Sequence, residues 1–143
     1  MINDARRRIR VRGAFWLLSL PAFVFVVAPV IGVQYKVATV PEKTLRKFAK
    51  TVVMPVYPDA SQRDGAQGVA VAKLDINEEG TVNKVEVLEA PDDAIANALV
   101  TALKMWTFQR PVEDSTGEPI RLAGKLTFYF VIENGRGVVR NPR

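Results

Sequence analysis

The sequence predicts an α+β protein: a three-stranded antiparallel sheet with two helices on one face, behind a single N-terminal transmembrane helix. Three observations carry this. Residues 14–33 (AFWLLSLPAFVFVVAPVIGV) form a twenty-residue stretch without a charge. Residues 67–76 and 122–132 alternate apolar with other side chains, the period of a half-buried strand, and residues 81–88 are a second β-rich run. Residues 91–106 repeat apolar side chains every three or four positions, the period of a helix packed through one stripe.

The chain begins with a basic arm, residues 1–13, in which five Arg oppose one Asp. The apolar stretch follows. At about 1.5 Å per residue a helix of its length spans roughly 30 Å, the thickness of a bilayer's hydrocarbon core. A membrane anchor fits better than a cleaved signal. The run is longer than an ordinary signal core, and the best small-residue site, Val26-Val27-Ala28, is followed by Pro29. The denser positive charge precedes the span, so the N-terminus is expected on the cytoplasmic side and the rest is exported. Pro21 and Pro29 each remove a backbone hydrogen bond inside the span. The expected helix is kinked, with Trp16, Ser19, Pro21, Phe23 and Pro29 available for packing in the membrane.

Residues 34–53 read as a linker. Within it Leu45, Phe48, Ala49 and Val52 recur at helical spacing, with a basic opposite face. This predicts a short amphipathic helix, able to meet anionic lipid head groups or a partner. Met54 to Pro58 is extended, because residues before proline avoid the helical region. Asp59 to Gly65 suits a short helix closed by glycine. Two strands then flank Asn77-Glu78-Glu79-Gly80, a turn sequence, and predict a hairpin. Pro91-Asp92-Asp93 starts the long helix, whose stripe ends at Trp106, expected to plug the core. Leu122, Leu126, Phe128, Phe130 and Ile132 mark the last strand, and residues 135–143 read as a basic tail without periodicity.

Composition narrows the chemistry. The chain has 143 residues, no cysteine and no histidine, which removes disulfides, thiol chemistry and the commonest general base and metal ligand. No glycine-rich phosphate loop or nucleophile elbow occurs. The sequence predicts no enzyme and no cofactor. The net charge of +5 does not point to nucleic acid. Residues 59–135 carry seven Lys/Arg against thirteen Asp/Glu, so the excess lies in the arm, the linker and the tail. One stretch comes near a metal motif: Asp75, Asn77, Glu79 and Glu86, with Gly80 between, fall near calcium-loop spacing. Strand-like flanks favour a hairpin turn for the same residues.

Pro55-Val56-Tyr57-Pro58, Gly68-Val69-Ala70-Val71, Glu79-Gly80-Thr81-Val82 and the run Ala98, Ala102, Trp106-Thr107-Phe108, Pro111 together resemble the TonB C-terminal domain over residues 54–134. The resemblance implies a periplasmic domain that contacts outer-membrane transporters by β-augmentation, in which an extended peptide pairs with an open sheet edge. The matching edge would be Lys125, Leu126, Thr127, Phe128, Tyr129, Phe130 and Val131.

Three departures qualify it. Energy-transducing members carry a Ser and a His one turn apart in the membrane helix. Here Ser19 is followed one turn on by Phe23, and the chain has no His. Such members also have a long proline-rich linker, whereas about twenty-five residues here separate Val33 from Pro58, at most roughly 80 Å. Third, Met54 and Val56 flank Pro55 where many members have glutamine. The expectation is a non-catalytic single-span subunit whose periplasmic domain braces an integral inner-membrane complex, of the respiratory or photosynthetic kind. The alternative is a short TonB-like energy transducer.

Overall fold

The computed structural model describes residue 32 and residues 34–142. The chain divides into two units, Met1–Gly32 and Val33–Arg143. The predicted arm and span, including Trp16, Ser19, Pro21, Phe23 and Pro29, lie outside the described residues, Gly32 excepted. Among the described residues no helix is long and apolar enough to cross a membrane.

The second unit runs β1 (Val37–Thr39), α1 (Glu42–Phe48), β2 (Ala49–Thr51), α2 (Asp59–Arg63), β3 (Gly68–Ile76), β4 (Val82–Glu89), α3 (Asp93–Lys104), β5 (Thr107–Phe108), β6 (Arg121–Glu133) and β7 (Arg136–Arg140). The α+β class and the β3–β4 hairpin agree with the sequence. The strand count does not. The main sheet has five strands in the order β1-β6-β3-β4, with β7 also paired to β6, and β2 and β5 form a separate two-stranded sheet.

Each added strand has an identifiable cause. β7 follows Asn134 and Gly135, both at positive φ (51° and 74°). Asn-Gly in this conformation makes the tight turn whose twist matches a hairpin, so the predicted tail folds back antiparallel on Tyr129–Glu133. β1 lies parallel to the start of β6, where the Arg121 amide donates to the Lys36 carbonyl at 2.8 Å and the Val40 amide to the Ala123 carbonyl at 2.9 Å. Residues 37–51 therefore belong to the domain and are not a linker. The amphipathic helix is also shorter than expected. It ends at Phe48 because Ala49 turns extended and pairs with Phe108.

The core lies between one sheet face and the helices. β3 contributes Ala70, Ala72, Leu74 and Ile76; β6 contributes Leu122, Leu126, Phe128 and Phe130. Ile95, Leu99 and Leu103 of α3 and Leu45 of α1 complete it. α3 starts at Asp92, whose side chain accepts from the Ile95 amide at 2.7 Å, a helix cap. Trp106 is buried as expected, tilted against Phe108 and edge-on to Phe128. Its indole N–H donates to the Val53 carbonyl at 2.8 Å, which satisfies the one polar atom that burial would otherwise strand. Tyr57, the residue of the Tyr-Pro motif, closes the far end against Phe130, and its hydroxyl donates to the Ala66 carbonyl. Burial, then the Asp92 charge, pushes its phenol up from the usual range.

Candidate interaction surface

A sheet offers a partner its edges first, so the backbone groups of β6 and its neighbours decide what can pair. The residues expected to form an open edge, Lys125 to Val131, lie on an inner strand. β3 pairs along one side of β6, from Gly68 opposite Phe130 to Ile76 opposite Leu122. On the other side β1 covers Arg121–Ala123 and β7 covers Tyr129–Glu133. The expectation that this stretch is an unblocked edge is therefore corrected. Leu126, Phe128 and Phe130 are fully buried; Lys125 and Tyr129 reach solvent from the sheet face away from the core.

The gap between β1 and β7 is filled by side chains of α1. Glu42 accepts from the Thr127 amide and the Thr127 hydroxyl, both at 2.9 Å. Arg46 donates from Nη2 to the Thr127 carbonyl at 2.7 Å and from Nε to Glu42 at 2.9 Å. It also reaches Asn141 beyond β7, at 3.1 Å, and its guanidinium sits 5.0 Å from the centre of the Phe128 ring. One helix turn thus imitates a strand at Thr127, taking both backbone groups a strand would pair. Only the i,i+4 spacing of Glu42 and Arg46 hinted at this in the sequence. Its target, eighty residues away, had no sequence signal.

The β7 and β4 edges are guarded. Gln62 of α2 accepts from the Gly137 amide at 2.7 Å and donates to the Gly135 carbonyl at 3.2 Å, capping β7. At the opposite edge β4 is interrupted by register shifts near both ends and carries Lys84, Glu86 and Glu89. Bulges and charges are the usual devices against unplanned strand pairing.

A second cluster holds the point where the chain joins the sheet. Arg121 Nε donates to Glu78 at 2.8 Å, and the guanidinium stacks 4.8 Å from the centre of the Tyr35 ring. Lys36 pairs with Glu113. The Arg121 hydrogen bond, helped by Glu78's own amide, holds the Glu78 carboxyl below the usual carboxylate range. Lys36, then Thr116, does the same for Glu113. Asp92 is also held low, by the neighbouring Ser61 hydroxyl and then the Ile95 amide. Ser61 Oγ is buried and meets no partner at hydrogen-bonding geometry, so the well-made bond is the one from Ile95.

The weighed metal set is spent on the hairpin. Asn77 Oδ1 accepts from the Thr81 amide at 2.8 Å, and the Gly80 amide donates to the Asn77 carbonyl at 3.0 Å. Gly80 sits at φ +86°, where a side chain would run into the Phe108 carbonyl. Asp75 lies opposite Lys84 and Glu86 opposite Lys73, each carboxylate beside a cation. No group of three or more His, Cys, Asp or Glu able to hold a metal occurs among the described residues.

A five-stranded sheet covered on one face by helices, with the Thr127 and Gly137 backbone groups capped by side chains, leaves shallow surface grooves as the places a partner can reach. The chain belongs to the family described as the Gram-negative bacterial TonB protein C-terminal, whose model matches residues 53–132. Its fold is similar to the solution structure of the Pseudomonas aeruginosa TonB C-terminal domain, at 27% identity and a TM-score of 0.51, over 62% of this chain and 88% of that one. Comparison with curated proteins finds no match. The domain is thus a TonB C-terminal domain, a protein–protein interaction module.

Proposed function

We propose that the protein is a non-catalytic, single-span subunit of the bacterial inner membrane, with its N-terminus cytoplasmic, whose periplasmic TonB C-terminal domain braces a larger integral complex. The observation that carries this is the missing reach. Residues 37–51 are built into the domain as β1, α1 and β2. The predicted span ends at Val33, and the Lys36 carbonyl is already bonded to Arg121. Three chain steps allow about 10 Å, far less than a domain that must travel to an outer-membrane transporter needs. The occupied backbone of β6 supports the same reading, since strand addition there would first have to displace α1 or β7. The absence of His and Cys from the sequence adds to it.

Isolation of the tagged full chain from mild detergent tests this. Stoichiometric recovery with a large inner-membrane complex, of the respiratory or photosynthetic kind, is the expected result. Recovery with proton-channel motor proteins, together with loss of nutrient uptake on deletion, would establish the energy-transducing alternative and remove this one.

A further inference from the structure

An extended segment on a protein surface ordinarily turns apolar side chains in and polar ones out. Residues 50–57 break the second half of that rule. Val53, Pro55 and Tyr57 point inward and are partly or fully buried. The side chains between them are Val52, Met54 and Val56, exposed to 50%, 37% and 78%. Met105, 50% exposed at the end of α3, joins them across a shallow groove that Val53, Ala98 and Thr101 also line. The indole of Trp106 pins the segment there through Val53.

The cations near this patch gather at its Val52 and Met105 end; at the other end the exposed Asp59 follows Val56 by three residues. Lys50 is exposed two residues before Val52, and the exposed Lys47 precedes it. Lys104 adjoins Met105, and Arg110 follows Gln109, whose amide donates to the Phe48 carbonyl. Residues 43–58 and 94–112 contain no Asp or Glu at all. Among the described residues none of Lys47, Lys50, Lys104 and Arg110 enters an ion pair. Elsewhere in residues 34–142 ten Lys/Arg stand against fourteen Asp/Glu, so the net positive charge of these four is not shared by the rest of the domain.

We propose that this face, Val52, Met54, Val56 and Met105 with the cations Lys47, Lys50, Lys104 and Arg110 at its Val52 and Met105 end, docks on an anionic bilayer surface. The proposal rests on the anchor reading: the twenty-residue apolar stretch ends three chain steps before Lys36, too short a tether for the domain to leave the lipid surface. An apolar patch with unpaired cations along one end fits the boundary between acyl chains and anionic head groups.

The chain has no cysteine, so single nitroxide labels can be placed without background. Labels go on Val56→Cys and Met105→Cys, with Lys125→Cys on the opposite sheet face as control, in the full chain reconstituted into phosphatidylcholine vesicles with and without phosphatidylglycerol. With the anionic lipid, the ratio of oxygen to nickel-chelate accessibility should rise several-fold at positions 56 and 105 and stay unchanged at 125. Adding Lys50→Glu and Lys104→Glu should abolish the rise. Nickel-accessible labels in both lipids would overturn the proposal. So would labels shielded from both reagents, which mean a second copy or another protein covers the face. Carbonate extraction of the same vesicles separates the two ideas: release of the protein defeats the anchor reading, whereas retention with aqueous labels defeats only the docking face.

Discussion

Replacing Glu42 by alanine would uncover the one stretch of β6 that neither β1 nor β7 reaches. Three interactions go: the bonds from the Thr127 amide and hydroxyl, and the pair with Arg46. A hydrogen bond to a charged group contributes about 1.5–3 kcal/mol, and an amide left without a partner costs about 1–3 kcal/mol. The Glu42 and Arg46 side chains are 26% and 21% exposed, so water recovers part of each term. The net loss should be about 2 kcal/mol, which lowers the Tm of a domain of this size by roughly 6–10 °C. The Thr127 amide should exchange with solvent up to about 30-fold faster, as that free energy implies. Glu42→Gln keeps one acceptor for the amide and should lose about half as much. Thermal melts with residue-resolved hydrogen exchange measure both effects. A Glu42→Ala chain with an unchanged Tm and an equally protected Thr127 would refute the idea that α1 stands in for a strand.

Three further outcomes follow from the same geometry. Trp106→Phe keeps an aromatic ring but strands the Val53 carbonyl and leaves a void, and should cost about 2–3 kcal/mol in denaturant unfolding. Gly137→Ala places a Cβ 2.5 Å from Tyr57 Cγ and 2.8 Å from Gln62 Oε1, so β7 should detach at that point, with loss of amide protection from Val138 to Arg140 and about 1–3 kcal/mol of stability. The pH dependence has a definite sign. Glu78, Asp92 and Glu113 are held below the ordinary carboxylate range, so the unfolded chain binds protons before the folded one does. Their stabilisation is complete above about pH 5 and is lost as pH falls through their lower folded values. Melts between neutral and strongly acidic pH should show Tm falling only in the acid limb, and Glu78→Gln should flatten that limb.

The parts of the fold legible in the sequence are those written in local periodicity and turn chemistry. Ala70 to Ile76 and Leu126 to Phe130 alternate, Ile95 to Leu103 recurs at helical spacing, and Asn77 to Gly80 is a turn, because the burial of each is decided by its own neighbours along the chain. The second hairpin has a local signal in Asn134-Gly135, but the basic residues 136–143 that follow carry no strand period of their own. β1 and β2 were not legible. Three residues carry no usable period, and Val37–Thr39 is a strand only because Arg121 to Ala123, eighty-four residues on, offer it a partner.

The candidate surface divides the same way. From its residues alone the chain shows its fold class, its TonB C-terminal signature, the charge-free stretch 14–33 and a chemistry without His or Cys. Which backbone groups remain open to a partner was decided only in three dimensions. Edge exposure depends on what lies beside a strand, and the residues that seal β6 and β7, namely Glu42, Arg46 and Gln62, act on groups seventy or more positions away. The outward apolar face of Val52, Met54 and Val56 likewise has meaning only once Trp106 has fixed which side of that segment is buried.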